Sequence, residues 1–417
     1  MNPSQPQQLP KIELIPLRGA IAQNEPTTLD VLVKILPPDL QIRLDRPPLN
    51  LGLVIDRSGS MSGFKMNYAR QAAAYAVEQL LPTDRVSITI FDDRIETIVP
   101  STLATAKPEI LSKIQQISTR GSTALHGGWI EGGTQVSQQL KPDQVNRVLL
   151  LSDGLANVGE TNPDTIASDV HGLAQRGVST TTMGIGNDYS EDLLESMARS
   201  GDGNFYHIAS PEQLPNIFQS ELQGLMTTIG HKVSLGINPL ESVTVVDILN
   251  DLDQTSTGRY KLPNLVIGNP ISIVVRLKIP ALGQSTDLCQ FRLAWDNPEI
   301  PERQILRVTL HLPIVSPAQL SDFPPHTEVQ QQIAILMAAR ARLEAVKCMD
   351  QGDLAGARVS LQEAKAMTQA APGSPQLAEE LAMLDDLDLD LQSGDTIGTR
   401  KKAIFQRYNS QRSRPNP

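Results

Sequence analysis

The stretch Leu49 to Met61, LNLGLVIDRSGSM, places three oxygen-bearing side chains at alternate positions. Asp56, Ser58 and Ser60 follow an unbroken apolar run, Leu51 to Ile55, and Gly59 lets the chain turn tightly. A carboxylate followed by two hydroxyls, with no His or Cys nearby, is a hard donor set. It suits Mg²⁺ or Ca²⁺ and suits Zn²⁺ or copper poorly. An uninterrupted apolar run reads as a strand buried on both faces. The oxygens therefore stand at the carboxyl end of a central strand, where open α/β sheets put their ligands.

The pattern recurs downstream. Ser152-Asp153-Gly154 directly follows the apolar run VLLL, and TRGSTALHGG between the two sites is a Gly/Ser/Thr loop opening a helix. Asp56, Ser58, Ser60, Thr123 and Asp153 thus lie on three loops, two of them directly at strand ends. In a doubly wound sheet of order 3-2-1-4-5-6, the first and fourth strands are neighbours at the switch point. Asp56 and Asp153 would then face one cleft.

Such a set favours binding over catalysis. Two carboxylates formally neutralise a divalent ion, and three hydroxyls fill most of its shell without adding charge. One position stays open for water or for a Glu or Asp of a partner. The same geometry could activate water, but catalysis would also need a positioned base or acid. His126 is the nearest candidate, and a His in the first turn of a helix reads as a surface or capping residue. The other His residues are scattered, and HExxH, GxSxG and GxxxxGK[ST] are absent from the sequence. The expectation is a protein that is not an enzyme. Asp92 and Asp93 read as turn residues after a strand, and Asp84 as fixing the turn before it. Trp129 and Phe64 fall near the rim of the expected cleft, as packing or as an exposed aromatic for a partner.

The elements that position these residues follow from the pattern of apolar runs. Strands are expected at 50–55, 86–91, 95–99, 146–152, 178–184 and 204–208, alternating with helices at 65–80, 107–118, 124–139, 162–176, 190–200 and 211–229. This alternation argues for a mostly parallel sheet covered by helices, a doubly wound α/β fold over residues 48–230. Residues 231–320 change to strand-like runs separated by turns, an accessory β-sandwich. The strands in 11–47 have no α/β unit of their own and are expected to join that β domain. A helical segment follows at 326–395, as a hairpin capping the β domain or as a solenoid-type repeat resembling part of a tetratricopeptide repeat. Residues 1–10 read as a mobile leader.

At 417 residues the chain is long enough for two or three domains. Its two cysteines, Cys289 and Cys348, are far apart and suit a reduced, cytoplasmic protein. The N-terminus lacks a signal-peptide pattern, and the apolar runs fall well short of the ~20 residues a membrane span needs. The net charge is −10, yet residues 400–417 hold six cations and no acid, so the remainder sums to −16. An acidic block at 379–395 lies just upstream. This balance gives no reason to expect nucleic-acid binding. The tail 396–417 is expected to be basic. It reads as a solvated, disordered tail, as docked on an anionic partner or membrane surface, or as partly ordered against the protein's own body. The spacing of Phe405 and Tyr408, which could share one helical face, favours the last.

These residues resemble the von Willebrand factor A (vWA) family and its metal-ion-dependent adhesion site. The DxSxS-Thr-Asp signature matches Asp56, Ser58, Ser60, Thr123 and Asp153. TDRVSITIFDD, GSTALHGG and SDGLANVGET are similar to the bacterial group akin to inter-α-trypsin-inhibitor heavy chains and calcium-activated chloride-channel-like proteins. The resemblance implies one Mg²⁺ or Ca²⁺ ion, touched directly by the serines and the threonine and often through water by the aspartates. It implies a metal-dependent interaction module that grips a carboxylate of a protein partner. An alternative is a non-catalytic adaptor in an enzyme machine such as an AAA+ ATPase complex. A hydrolase using the metal directly is the third reading, and it lacks an evident base.

Overall fold

The computed structural model describes residues 9–38, 47–141, 144–297 and 300–413. The expected leader, up to residue 8, and Arg414 of the tail lie outside them. Residues up to 38 and from 229 onward form one compact unit, and 47–228 form another.

The chain enters the first unit through β1 (Lys11–Pro16), β2 (Ile21–Ala22) and β3 (Thr27–Leu36). The second unit then runs β4 (Leu49–Asp56), α1 (Phe64–Gln79), β5 (Arg85–Phe91), β6 (Ile95–Leu103), α2 (Lys107–Gln115), α3 (Leu125–Ser137), β7 (Val145–Ser152), α4 (Pro163–Gln175), β8 (Val178–Ile185), α5 (Glu191–Ser200), β9 (Phe205–Ile208) and α6 (Leu214–Met226). Its six strands lie in the order β6-β5-β4-β7-β8-β9. Numbered within the unit, this is the 3-2-1-4-5-6 order of a doubly wound sheet. Only the β5/β6 pair is antiparallel.

β4 is central, and all eight of its residues are buried. Leu51, Leu53, Val54 and Ile55 supply apolar surface to both faces, so the strand must end where its first charged group, Asp56, meets the sheet edge. Helix α3 approaches the sheet closely because its inner face is glycine. A Cβ at Gly132 would lie 2.1 Å from Val54 Cγ2, so any side chain there would push the helix away. This close seat holds the loop before α3 over the end of β4.

The first unit continues with β10 (Thr228–Pro239), β11 (Thr244–Ile248), β12 (Tyr260–Lys261), β13 (Leu265–Val266), β14 (Ile271–Ile279), β15 (Asp287–Asn297), β16 (Ile300–His311) and β17 (Ile314–Val315). One sheet has the order β1-β3-β14-β11, the other β12-β10-β15-β16. β3 pairs with β14 from Thr27↔Ile279 to Ile35↔Ile271, which ties the N-terminal strands to the later β region. Val31, Val33, Ile273, Val275, Leu235, Phe291 and Leu293 fill the core shared by the two sheets. Two sheets packed over this shared core make an accessory β-sandwich; Leu32 of β3 and Val274 of β14 are buried on the opposite face of their sheet.

Four helices close the first unit: α7 (Thr327–Asp350), α8 (Leu354–Ala370), α9 (Pro375–Ser393) and α10 (Thr396–Gln411). Val329 and Leu336 of α7 pack on Leu32, Val274 and Leu249, capping one sheet of the sandwich. α10 touches both α9 and α7, so the helices close on one another where a two-helix hairpin would stop. Residues 396–411 form this last helix, with Ile404, Phe405 and Tyr408 buried. Lys402 pairs with Asp390 at 2.5 Å and Arg400 with Asp350 at 2.8 Å, so cations of the tail meet acids of the preceding helices. Among the described residues no helix is long and apolar enough to cross a membrane.

Candidate functional site

The three loops expected to converge do so at the carboxyl end of β4 and β7. Asp56 Oδ1 accepts the Ser58 backbone N–H at 2.8 Å, and Oδ2 accepts the Ser152 hydroxyl at 2.6 Å. Ser58 Oγ and Ser60 Oγ are 3.0 Å apart, and Ser60 Oγ donates to Asp153 Oδ1 at 2.7 Å. The Thr123 N–H donates to Asn157 Oδ1 at 2.9 Å, which fixes the threonine loop to the loop after β7. A methyl group added at Gly154 would sit 3.2 Å from Thr123 Oγ1, 3.6 Å from Ser60 Oγ and 3.8 Å from Asp56 Oδ2. Oxygens from all three loops therefore line one small hollow, floored by a residue without a side chain.

Asp56, Ser58, Thr123 and Asp153 are buried, and Ser60 stands exposed at the mouth. Burial is the largest influence on Asp56 and lifts its carboxyl from the usual range to about 6. The Ser152 and Ser58 hydrogen bonds pull the other way, and the neighbouring Asp153 charge adds to the rise. A buried pair of carboxylates is costly without a cation. Lys65 Nζ meets part of that need, 2.5 Å from Asp153 Oδ2. The set of two carboxylates and three hydroxyls could hold one hard divalent ion.

Asp92 holds the turn after β5, accepting the Arg94 N–H at 2.6 Å, and it has a second role. It is fully buried and lies 2.8 Å from Arg57 Nε and 2.6 Å from Arg120 Nε. Arg57 belongs to the DxSxS loop and Arg120 to the threonine loop. Burial alone would raise the Asp92 carboxyl. The Arg120 and Arg94 hydrogen bonds and the two guanidinium charges outweigh it and hold the group below the usual carboxylate range. Backbone bonds follow the same seam, from Gly59 N to Gly121 O, Arg120 N to Arg57 O and Ala124 N to Asp92 O. Gly121 has φ +69°, and a Cβ there would fall 2.2 Å from Asp93 Oδ1, so this turn requires glycine. Asp92 is a positioning residue for the site.

His126 is not a surface residue. It is buried, its Nε2 is 3.0 Å from Asp169 Oδ2, and its ring stacks on Trp129. Trp129 is core, with Nε1 donating to Thr180 Oγ1 at 3.1 Å. Phe64 is 79 % exposed, beside the DxSxS turn. Asp84 fixes its turn as expected, accepting the N–H groups of Leu49 at 2.8 Å and Leu81 at 2.6 Å. Ser152, Asn157 and Lys65 are further residues of the site. The only sequence signal for them is adjacency to the motif residues.

The family model for the von Willebrand factor type A domain matches residues 50–220. Residues 50–220 are a von Willebrand factor type A domain. The chain is 28 % identical over 339 residues to the uncharacterized protein sll0103 of Synechocystis sp., covering 76 % of this chain and 78 % of that one. It is 29 % identical over 210 residues to human inter-alpha-trypsin inhibitor heavy chain H4, covering 47 % of this chain and 22 % of the heavy chain. The match therefore spans under a quarter of the heavy chain's length. The solved structure of a von Willebrand factor type A protein from Catenulispora acidiphila superposes with a TM-score of 0.73 at 16 % identity, covering 98 % of both chains. That likeness extends the shared fold beyond the vWA domain, through the sandwich and the helices.

Proposed function

We propose that this vWA domain is a metal-dependent protein-interaction module that recognises a carboxylate on its partner. The observation that carries the reading is the hollow at Gly154, where oxygens of Thr123, Ser60 and Asp56 converge within 4 Å of one point. Asp56 and Asp153 supply the charge that a divalent ion needs. Ser58, Ser60 and Thr123 supply neutral oxygens. A bound Mg²⁺ or Ca²⁺ would keep an open position for an incoming Glu or Asp side chain. The Asp92–Arg57–Arg120 clamp holds two of the loops in register, so little reordering is needed on binding. His126, the candidate base, is engaged by Asp169 and Trp129, which supports the binding reading.

Titration calorimetry on the full chain tests this. The wild type should bind one equivalent of Mg²⁺ or Ca²⁺, and Asp56→Ala should lose the heat while remaining folded by circular dichroism. Unchanged affinity in Asp56→Ala would overturn the metal assignment. Retained partner capture in excess chelator would place the interface elsewhere.

A further inference from the structure

The second sheet of the sandwich turns an unusual row of side chains away from its core. Leu235, Phe291 and Leu293 point inward. Their alternate neighbours Gly236 and Arg292 therefore point outward. Gly236 is paired with Arg292 on β15, and Arg292 with Arg307 on β16. On the other side, Leu235 pairs with Tyr260, which brings Arg259 level with Gly236. Three arginines thus stand in one line across four strands, separated only by a glycine. A Cβ at Gly236 would lie 3.6 Å from Arg292 Cβ and 3.9 Å from Arg259 Cγ, so the two arginine stems flank an open groove floor.

Like charges directly opposite on neighbouring strands are destabilising. Other arginines of this unit, such as Arg276 and Arg340, are paired with the carboxylates of Asp30 and Asp247. On the same face as the row, Arg303 is bound by Asp296 at 2.5 Å and by the Ser234 hydroxyl at 3.1 Å. Among the described residues, no acid pairs with the side chains of Arg259, Arg292 or Arg307. Arg292 Nη1 is buried with no hydrogen-bond partner. Burial and the adjacent Arg259, Arg307 and Arg303 charges pull the Arg292 guanidinium below its usual value. A buried unsatisfied donor within a like-charge row costs stability, and no fold requirement at this outward position calls for it. Arg259 and Arg292 are half-buried and Arg307 is exposed, so the row is open to a ligand.

We propose that Arg259, Arg292 and Arg307 form a binding site for a phosphate-class oxyanion on the outer face of this sheet. Planar guanidiniums present parallel N–H donors that match tetrahedral oxyanions bidentately, and three of them offset a multiply charged group. Gly236 leaves room for the anion to approach the sheet between Arg259 and Arg292. This site is separate from the vWA hollow and does not depend on the metal reading.

The test uses the full chain in chelator, with inorganic pyrophosphate as the probe and chloride added to match ionic strength. Pyrophosphate should raise the melting temperature of the wild type and of Asp56→Ala alike. Arg292→Gln and Arg307→Gln should each weaken pyrophosphate binding at least tenfold by calorimetry, while Lys347→Gln at an exposed site should not. Without the anion, Arg292→Gln should melt no lower than wild type, because it removes repulsion and an unpaired donor. Absence of any shift beyond the chloride control would overturn the proposal. So would equal affinity in the arginine variants, or tighter binding of a hexaglutamate peptide than of pyrophosphate.

Discussion

Lys65 Nζ sits 2.5 Å from Asp153 Oδ2, so the chain lays a cation of its own on one of the two carboxylates of the vWA hollow. Asp188 Oδ2 lies 3.6 Å from the same nitrogen, on the outer side. The ammonium balances a fully buried Asp153. It also opposes a dication entering the same place.

Lys65→Met should therefore separate two effects. Without metal, the variant leaves Asp153 buried with less compensation and should melt below wild type, at a cost of roughly 1–3 kcal/mol. With saturating Mg²⁺ the gap should close, since the ion replaces the lost charge. Its Mg²⁺ affinity should rise about tenfold, the equivalent of ~1.4 kcal/mol of removed repulsion. A calorimetric affinity equal to or weaker than wild type would show that Lys65 orients Asp153 and does not compete.

Asp56 gives the site a pH dependence. Its folded carboxyl is raised to about 6 from an ordinary value of 3.8. A raised acid favours the protonated folded state, so the metal-free domain gains stability at low pH and loses it as pH climbs from about 4 through about 6. The loss is worth about 3 kcal/mol. A divalent ion needs the ionised form. At pH 5 only about a tenth of Asp56 is ionised, so Mg²⁺ affinity should be about tenfold weaker than at pH 7.5. The Mg²⁺-induced rise in melting temperature should shrink in step. A rise of equal size at both pH values would show that Asp56 is not a ligand.

Much of this arrangement is legible in the sequence because it is local. The run Leu51–Ile55 must be buried, and Asp56 must follow it, so the strand end is readable. The order of the sheet follows from the regular alternation of strands and helices. Asp92 is different. Its partners Arg57 and Arg120 lie 35 and 28 residues away, and nothing in FDDR distinguishes a clamp from a turn. His126 and Trp129 lie three residues apart near the start of a helix whose buried face is set by glycines, and composition does not say which way it faces. The spacing of Phe405 and Tyr408 shows one face of α10. That Lys402 and Arg400 find Asp390 and Asp350 is a tertiary outcome that charge counts alone leave open. The arginine row needs strand register, which a single sequence does not fix.

The helical part of the first unit contains a deeply buried ion pair. Arg342 on α7 and Glu380 on α9 approach to 2.6 Å between Nη1 and Oε1, with side chains 0 % and 3 % exposed. The contact has the distance of an ion pair, but it lacks hydrogen-bond alignment, and Arg342 Nε and Nη2 also make no hydrogen bond. Two charges have thus left water for one imperfect contact, where desolvation offsets most of the attraction. Removing one partner is worse, since it strands the other. Glu380→Leu should cost about 3–5 kcal/mol, and the double variant Arg342→Leu/Glu380→Leu should return to within about 1 kcal/mol of wild type or exceed it. Scanning calorimetry on the full chain can follow this, with the vWA transition as an internal reference, because two compact units need not unfold together. A double variant as unstable as Glu380→Leu would show that the pair fixes the register between α7 and α9 and that apolar packing cannot replace it.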